Sequence, residues 1–533
     1  MTDTARSALT VRVREGVLQG AATADGAVRA FKGIAYARPP VGERRWRPPA
    51  PAEPWDGVRD ATAYGAVCPQ PVVAETSLYF AGREPQSEDC LFLNVWSGAE
   101  PGDRRPVMVW VHMGAFLFGS GSAGPGPMSL YDGEALARAG AVVVTLNHRL
   151  GRLGFLAHPE LSAESAHGAS GNYGLMDQIA ALEWVCENIA AFGGDPDRVT
   201  LFGLSAGSYS VSHLMASPRA AGLFHRAIGQ SGAAFGPTKP SCGVNDAMQD
   251  LEAAERTGVA VAGALGVSSL AGLRALTPEQ LAAAPLPGEP GEWGMDLSPL
   301  PYRRGDFDSG YPIVDGHVLP ENVHDVFQNG RQHAVPLLTG SVANESSGVP
   351  GLPSVEAFRA DSRAEYGDRV DAFLALYPAR TAAEAFAASA MSNGDRIFVW
   401  QNWTWARLHS RRRPTFYYHW SRVPPIPARA EVCERDPRAF HSSEVPYIFR
   451  HLEVRDWDWT RADRALSETV SGYWLAFAES GDPNGGDRPW WPEFTEAGPV
   501  AMHFGDSVGP GPVPRRAHLD FWDGFYADWR AAG

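Results

Sequence analysis

Ser205 sits in Gly203-Leu204-Ser205-Ala206-Gly207, after the apolar run Val199 to Phe202 and before a helical stretch from Tyr209 to Met215. A serine hydroxyl is a poor nucleophile, so one that attacks must project from a sharp turn towards a base. Gly203 and Gly207 remove side chains that would collide in such a turn. The turn also sets Ser205 at a helix N-terminus, where backbone N–H groups favour developing negative charge. Taken alone the five residues are a common pattern, and an ordinary glycine turn reads the same way.

The surroundings are more specific. Upstream stands Phe192-Gly193-Gly194-Asp195-Pro196-Asp197-Arg198, and further back Phe31-Lys32-Gly33-Ile34-Ala35-Tyr36-Ala37 with Pro39-Pro40-Val41-Gly42. Glu88-Asp89-Cys90-Leu91-Phe92-Leu93-Asn94-Val95, Tyr311-Pro312-Ile313-Val314-Asp315-Gly316 and Trp474-Leu475-Ala476-Phe477-Ala478 carry the pattern to the C-terminus. In these motifs the chain resembles the type B carboxylesterase and lipase family, in particular its bacterial, para-nitrobenzyl-esterase-like members. The resemblance implies an α/β-hydrolase fold: a large, mostly parallel sheet covered by helices, with helical cap insertions around 245–300 and 350–395. It implies one domain over 1–533 and hydrolysis of carboxylic esters through an acyl-enzyme, with no cofactor.

A triad in that fold runs in the order serine, acid, histidine, each on a loop after a strand. Glu345, in Gly340-Ser341-Val342-Ala343-Asn344-Glu345, resembles the family's acid loop, and His441, in Ala439-Phe440-His441-Ser442-Ser443-Glu444, its histidine loop. His441 would take the Ser205 proton and return it to the departing alkoxide, while Glu345 orients the ring. Protonating His441 would remove the base, so activity is expected to fall at acid pH. Val109-Trp110-Val111-His112-Met113-Gly114-Ala115-Phe116 resembles the oxyanion loop, with the N–H groups of Gly114, Ala115 and Ala206 as donors. Met113 stands where the family usually has glycine and Leu204 where it usually has glutamate. With Phe116 they are the expected pocket residues, and they suggest an apolar pocket with weak preference for cationic substrates. Met113 also calls into question the loop's usual backbone path, because only glycine enters left-handed conformations cheaply.

Strands and helices must bring these distant residues together. Val107 to Val111, Val142 to Leu146, Val199 to Phe202 and Val335 to Thr339 are nearly continuous apolar runs, as in strands covered on both faces. Asn172 to Ala191 repeats Leu175, Ile179, Leu182, Cys186 and Ile189 at helical spacing, with Cys186 a small buried group. Leu251 to Ala284 and Ser354 to Ala388 read as helical covers, and Pro285 to Trp293 as a loop. Trp400, Trp403 and Trp405 could wall a pocket, though core packing is the preferred reading.

Composition excludes other classes. A net charge of −15, with 61 acidic against 46 basic residues, gives no attraction to nucleic acid or anionic lipid. Neither a signal-peptide core nor a membrane-spanning run is read, so a cytoplasmic enzyme is expected, monomer or homodimer, acting on a small hydrophobic ester. Cys68 and Cys90 resemble a pair bonded in secreted relatives and are expected reduced here. Gly119 to Gly124 fits a dinucleotide fingerprint, but Pro125 and Pro127 stand where its helix should begin. His441 to Glu444 lacks the second histidine of a metal motif, so no metal is expected. Two alternatives share the fold: a carbamate or amide hydrolase using the same triad, and a non-catalytic binding protein, which an intact triad disfavours.

Overall fold

The computed structural model describes residues 9–71, 73–124, 129–238, 248–282, 310–346, 351–430, 432 and 437–532. Pro125, Pro127, Cys242, Cys433, the loop Pro285 to Trp293 and the part of the first cap insertion beyond Ala282 lie outside the described residues.

Strands β1 (Thr10–Val13), β2 (Gly16–Gln19) and β5 (Val58–Asp60) form a small sheet near the N-terminus. Among the described residues the main sheet has eleven strands. From one edge they are β14 (Val508–Pro512), β13 (Val500–Phe504), β12 (Thr415–Trp420), β11 (Leu337–Val342), β10 (Arg226–Gln230) and β9 (Gly194–Leu204). The order continues with β7 (Arg105–Val111), β8 (Val142–Leu146), β6 (Phe92–Ser97), β4 (Arg29–Ala35) and β3 (Ala21–Ala22). Pairing is parallel from β8 through β7 and β9 to β13, and antiparallel at both margins.

The central strands carry two apolar faces. Along β7, Val107, Val109 and Val111 belong to one buried cluster and Met108 and Trp110 to another, the two-residue alternation of a strand packed on both sides. Two of the expected strands shift. β11 begins at Leu337 rather than Val335, because Pro336 has no N–H to give and the Val335 carbonyl is taken by His409 Nε2 at 2.7 Å. β9 reaches back to Gly194, which pairs with Arg105 across a register shift.

The expected helix spans Tyr173–Asn188 and tightens into a 3₁₀ turn, Ile189–Phe192, ended by Gly193 at φ 81°. Cys186 is half-buried on it rather than fully buried. The cap insertions are helical where described: Leu251–Ala264, Leu270–Ala275 and Pro278–Ala282, then Val355–Tyr366, Val370–Leu376 and Ala382–Gly394. Trp400, Trp403 and Trp405 are core residues, the first two donating their indole N–H groups to Asp523. Among the described residues no helix is long and apolar enough to cross a membrane.

Candidate active site

Strand β9 ends at Leu204 and the helix Ala206–Ala216 begins two residues later, with Ser205 between them at φ 56°, ψ −125°. A non-glycine residue at positive φ is strained, and it persists only where neighbours hold it. Here Ser205 N–H donates to Gln230 O at the end of β10 at 2.9 Å. The flanking glycines are required by close approach. A Cβ on Gly207 would lie 2.0 Å from Val111 O, and one on Gly203 would lie 2.6 Å from the Gly207 carbonyl carbon.

Glu345 and His441 meet at the same sheet edge. Glu345 follows β11, three residues beyond Val342, and a bridge between Asn344 and Phe440 carries the histidine loop beside it. Glu345 Oε1 accepts Val342 N–H at 2.9 Å, and Oε2 lies 2.6 Å from His441 Nδ1. An ionised carboxylate only accepts, so the proton sits on Nδ1 and Nε2 is the basic nitrogen. β9, β10 and β11 are adjacent and parallel, so the elbow serine and the pair emerge from the carboxyl ends of neighbouring strands, where open α/β sheets place their ligands.

The loop after β7 turns beside Ser205's strand. Gly114, Ala115 and Phe116 take φ of 120°, 52° and 59°, while Met113 takes no left-handed conformation. The left-handed turn thus begins at Gly114, and Met113 escapes the conformation that would penalise its side chain. A Cβ on Gly114 would overlap Phe118 O at 1.9 Å, so that glycine is obligatory. Among the described residues the N–H groups of Gly114 and Ala115 reach no acceptor, and Ala206 N–H opens its helix.

A cavity of about 360 Å³ lies beside this loop, lined by Tyr79, Glu84, Met113, Phe118, Leu130 and Tyr131 among others. Its Tyr79 ring is 6.5 Å from the His441 ring. Of the three pocket residues expected from sequence, Met113 is in this wall. Leu204 is buried in the same apolar cluster without lining the cavity, and Phe116 packs away on Phe155 and Tyr311. Nor is the wall purely apolar, since Glu84 and Arg83 contribute. Glu84 accepts from the hydroxyls of Ser120 and Ser122, and Arg83 pairs with Glu75 at 3.1 Å.

Several neighbours of the site escape sequence reasoning. Glu444, three residues after His441, is fully buried, and burial pushes its carboxyl up to about 7, with the charge of Glu345 adding to the effect. Tyr418 Oη donates to it at 3.3 Å. Tyr79 and Phe398 flank the His441 ring from remote segments. Only Glu444 had a local signal, the carboxylate within the histidine loop. Among the described residues no group of three or more His, Cys, Asp or Glu side chains could hold a metal. Cys68 and Cys90 are free buried thiols, and contact with Cys68 together with burial pushes the Cys90 thiol up.

Comparison with known proteins bears on these features together. The carboxylesterase family matches residues 7–522. A fumonisin B1 esterase of Sphingopyxis macrogoltabida is 35% identical over 93% of this chain and 86% of its own. A para-nitrobenzyl esterase of Bacillus subtilis is 35% identical over 91% of this chain and 92% of its own. A solved PNB esterase structure superposes with a TM-score of 0.79 at 33% identity, covering 96% of this chain and 99% of that one. With an α/β-hydrolase sheet and these relatives, the chain belongs to the carboxylesterase family and is a hydrolase of carboxylic ester bonds.

Proposed function

We propose that the protein is a serine carboxylesterase in which Ser205, His441 and Glu345 form the triad and Gly114, Ala115 and Ala206 the oxyanion hole. The observation that carries this reading is the 2.6 Å Glu345–His441 contact at the sheet edge where Ser205 occupies its strained turn.

In the first half-reaction Ser205 Oγ bonds to the ester carbonyl carbon as His441 Nε2 takes its proton. The carbonyl oxygen becomes an oxyanion received by the three N–H groups, a group of donors of which each is typically worth about 3 kcal/mol. Collapse breaks the carbon–alkoxide bond, and the alkoxide leaves with the proton from His441. Water then repeats the cycle on the acyl-enzyme and regenerates Ser205.

The cavity beside Met113 accommodates an uncharged, largely apolar substituent along the stretch of wall formed by Met113, Phe118, Leu130 and Tyr131. A neutral ester with an aromatic or alkyl group fits it better than a choline ester, in keeping with the para-nitrobenzyl ester in the name of one relative.

The test is hydrolysis of 4-nitrophenyl acetate, butyrate and octanoate by wild type and by Ser205→Ala, each checked for folding. Turnover by wild type with the variant at background supports the acyl-enzyme. A folded wild type inactive on every ester overturns it and directs attention to carbamate or amide bonds.

A further inference from the structure

Between the helices Ala382–Gly394 and Trp400–His409 the chain makes a π-helical turn, Asp395–Val399. Such turns insert one residue into a helix, re-aiming the side chains that follow, and they concentrate at functional sites. This one touches all three elements that carry the triad. At its start Gly394 presses on the acid loop, where a Cβ would lie 2.8 Å from the Glu345 carbonyl carbon. Midway, Ile397 O accepts Tyr209 Oη, from the nucleophile helix, at 2.5 Å. Next, the Phe398 ring lies against His441, with centroids 4.3 Å apart and planes 33° from parallel. The turn is pinned from behind, because the buried Asp395 carboxylate receives Arg515 Nη1 at 2.7 Å, Arg515 Nη2 at 2.6 Å and Tyr377 Oη at 2.6 Å.

The hydrogen bond from Nδ1 to Glu345 holds one edge of the imidazole, and the Phe398 ring against its face limits how far its plane can tilt. We propose that Phe398 is a positioning residue for His441: it sets the plane of the imidazole so that Nε2 stays aligned for proton transfer, and the π-helical turn exists to deliver it. The proposal rests on the reading of His441 as the base.

The experiment compares wild type, Phe398→Leu, Phe398→Tyr, His441→Ala and the double variant Phe398→Leu/His441→Ala on 4-nitrophenyl acetate, butyrate and octanoate, with melting curves for each. Expected is a fall in kcat of about tenfold or more for Phe398→Leu on all three esters, with KM within about twofold, since misplacement of a reacting group by about 1 Å costs up to a hundredfold. Phe398→Tyr keeps the ring and should restore most of kcat. In the His441→Ala background, Phe398→Leu should cause no further loss. A change confined to KM or to chain-length preference would make Phe398 a pocket wall and overturn the proposal, as would a further loss in the double variant. Should Phe398→Leu fail to fold, Phe398→Met is read by the same criteria. If His441→Ala itself retains activity, the assignment of the base fails instead.

Discussion

Glu444 offers a test of the buried electrostatics around the triad. Its carboxyl ordinarily loses its proton near 4.5, but in the fold burial raises this to about 7. Between those values the native state binds more protons than the unfolded chain. The stability this group contributes is therefore complete below about pH 4.5 and is lost as the pH rises through about 7. At about 1.4 kcal/mol per pH unit the gap amounts to about 3 kcal/mol. Glu444→Gln cannot ionise, and its amide oxygen can still accept from Tyr418 Oη. Urea unfolding of both proteins at pH 5, 6, 7 and 8 gives a difference curve in which other titrating groups cancel. The variant should gain on wild type by up to about 3 kcal/mol between pH 5 and 8. A curve flat to within about 0.5 kcal/mol, the usual error of additivity, would show that Glu444 ionises as freely folded as unfolded and would refute the reasoning.

Three further outcomes are expected. Glu345→Gln should lower kcat by about 10³- to 10⁴-fold with little change in KM, because the amide no longer holds the proton on His441 Nδ1 or stabilises the imidazolium; near-normal turnover would remove Glu345 from the triad. Gly207→Ala places a Cβ 2.0 Å from Val111 O and 2.9 Å from His112 O, both backbone atoms that cannot swing aside. Its cost should appear as a lower melting temperature and at least about a hundredfold loss of kcat, and a well-folded, active variant would contradict the elbow geometry. Met113→Gly removes a buried side chain from the cavity wall, which should cost about 3 kcal/mol of stability in urea unfolding. Because Met113 is not left-handed, kcat on 4-nitrophenyl acetate should hold within a few-fold while bulkier esters gain; a large change on the acetate would mean that the residue sets the loop's path after all.

The fold was legible where burial demands a local pattern. β8 reads Val142-Val143-Val144-Thr145-Leu146 and is buried throughout, so its apolar run needs helices on both faces and could not belong to a half-exposed strand. The elbow was legible for a similar reason, since Gly203 and Gly207 are each required by an atom of neighbouring backbone. Glu345 and His441 were legible through the loops around them, and the structure joins them directly. What stayed hidden depends on pairing between remote segments. Phe398 comes to His441 from a π-helical turn, and Tyr79 from the 73–84 stretch beside the oxyanion loop. Phe116, expected as a pocket residue, packs on Phe155 and Tyr311 instead of lining the cavity beside Met113, because adjacency in sequence to Gly114 and Ala115 says nothing about which way a left-handed residue turns its side chain.

The oxyanion loop shows how the strain is held. Ala115 and Phe116 adopt a conformation that costs a side-chain-bearing residue roughly 1–2 kcal/mol each. Nearly every carbonyl around them is engaged. His112 Nδ1–H donates to Met113 O at 2.7 Å, Leu117 N–H and Phe118 N–H both donate to Gly114 O at 2.9 and 3.0 Å, and Gly151 N–H donates to Phe116 O at 2.7 Å. Burial keeps His112 neutral, its imidazole pushed down to about 4, so it serves as a fixed donor rather than a charge beside the site. With the carbonyls drawn into the protein, the N–H groups of Gly114 and Ala115 are left to a ligand. Val111 pairs with Gly203 across β7 and β9, so this turn and the Ser205 turn start from adjacent points on the sheet. Each is strained and each is tied by a partner from a different segment, Gln230 for one and Gly151 for the other. Neither can relax without breaking bonds beyond its own loop, so Ser205 and the N–H groups of Gly114 and Ala115, our proposed nucleophile and donors, are set in place before a substrate arrives.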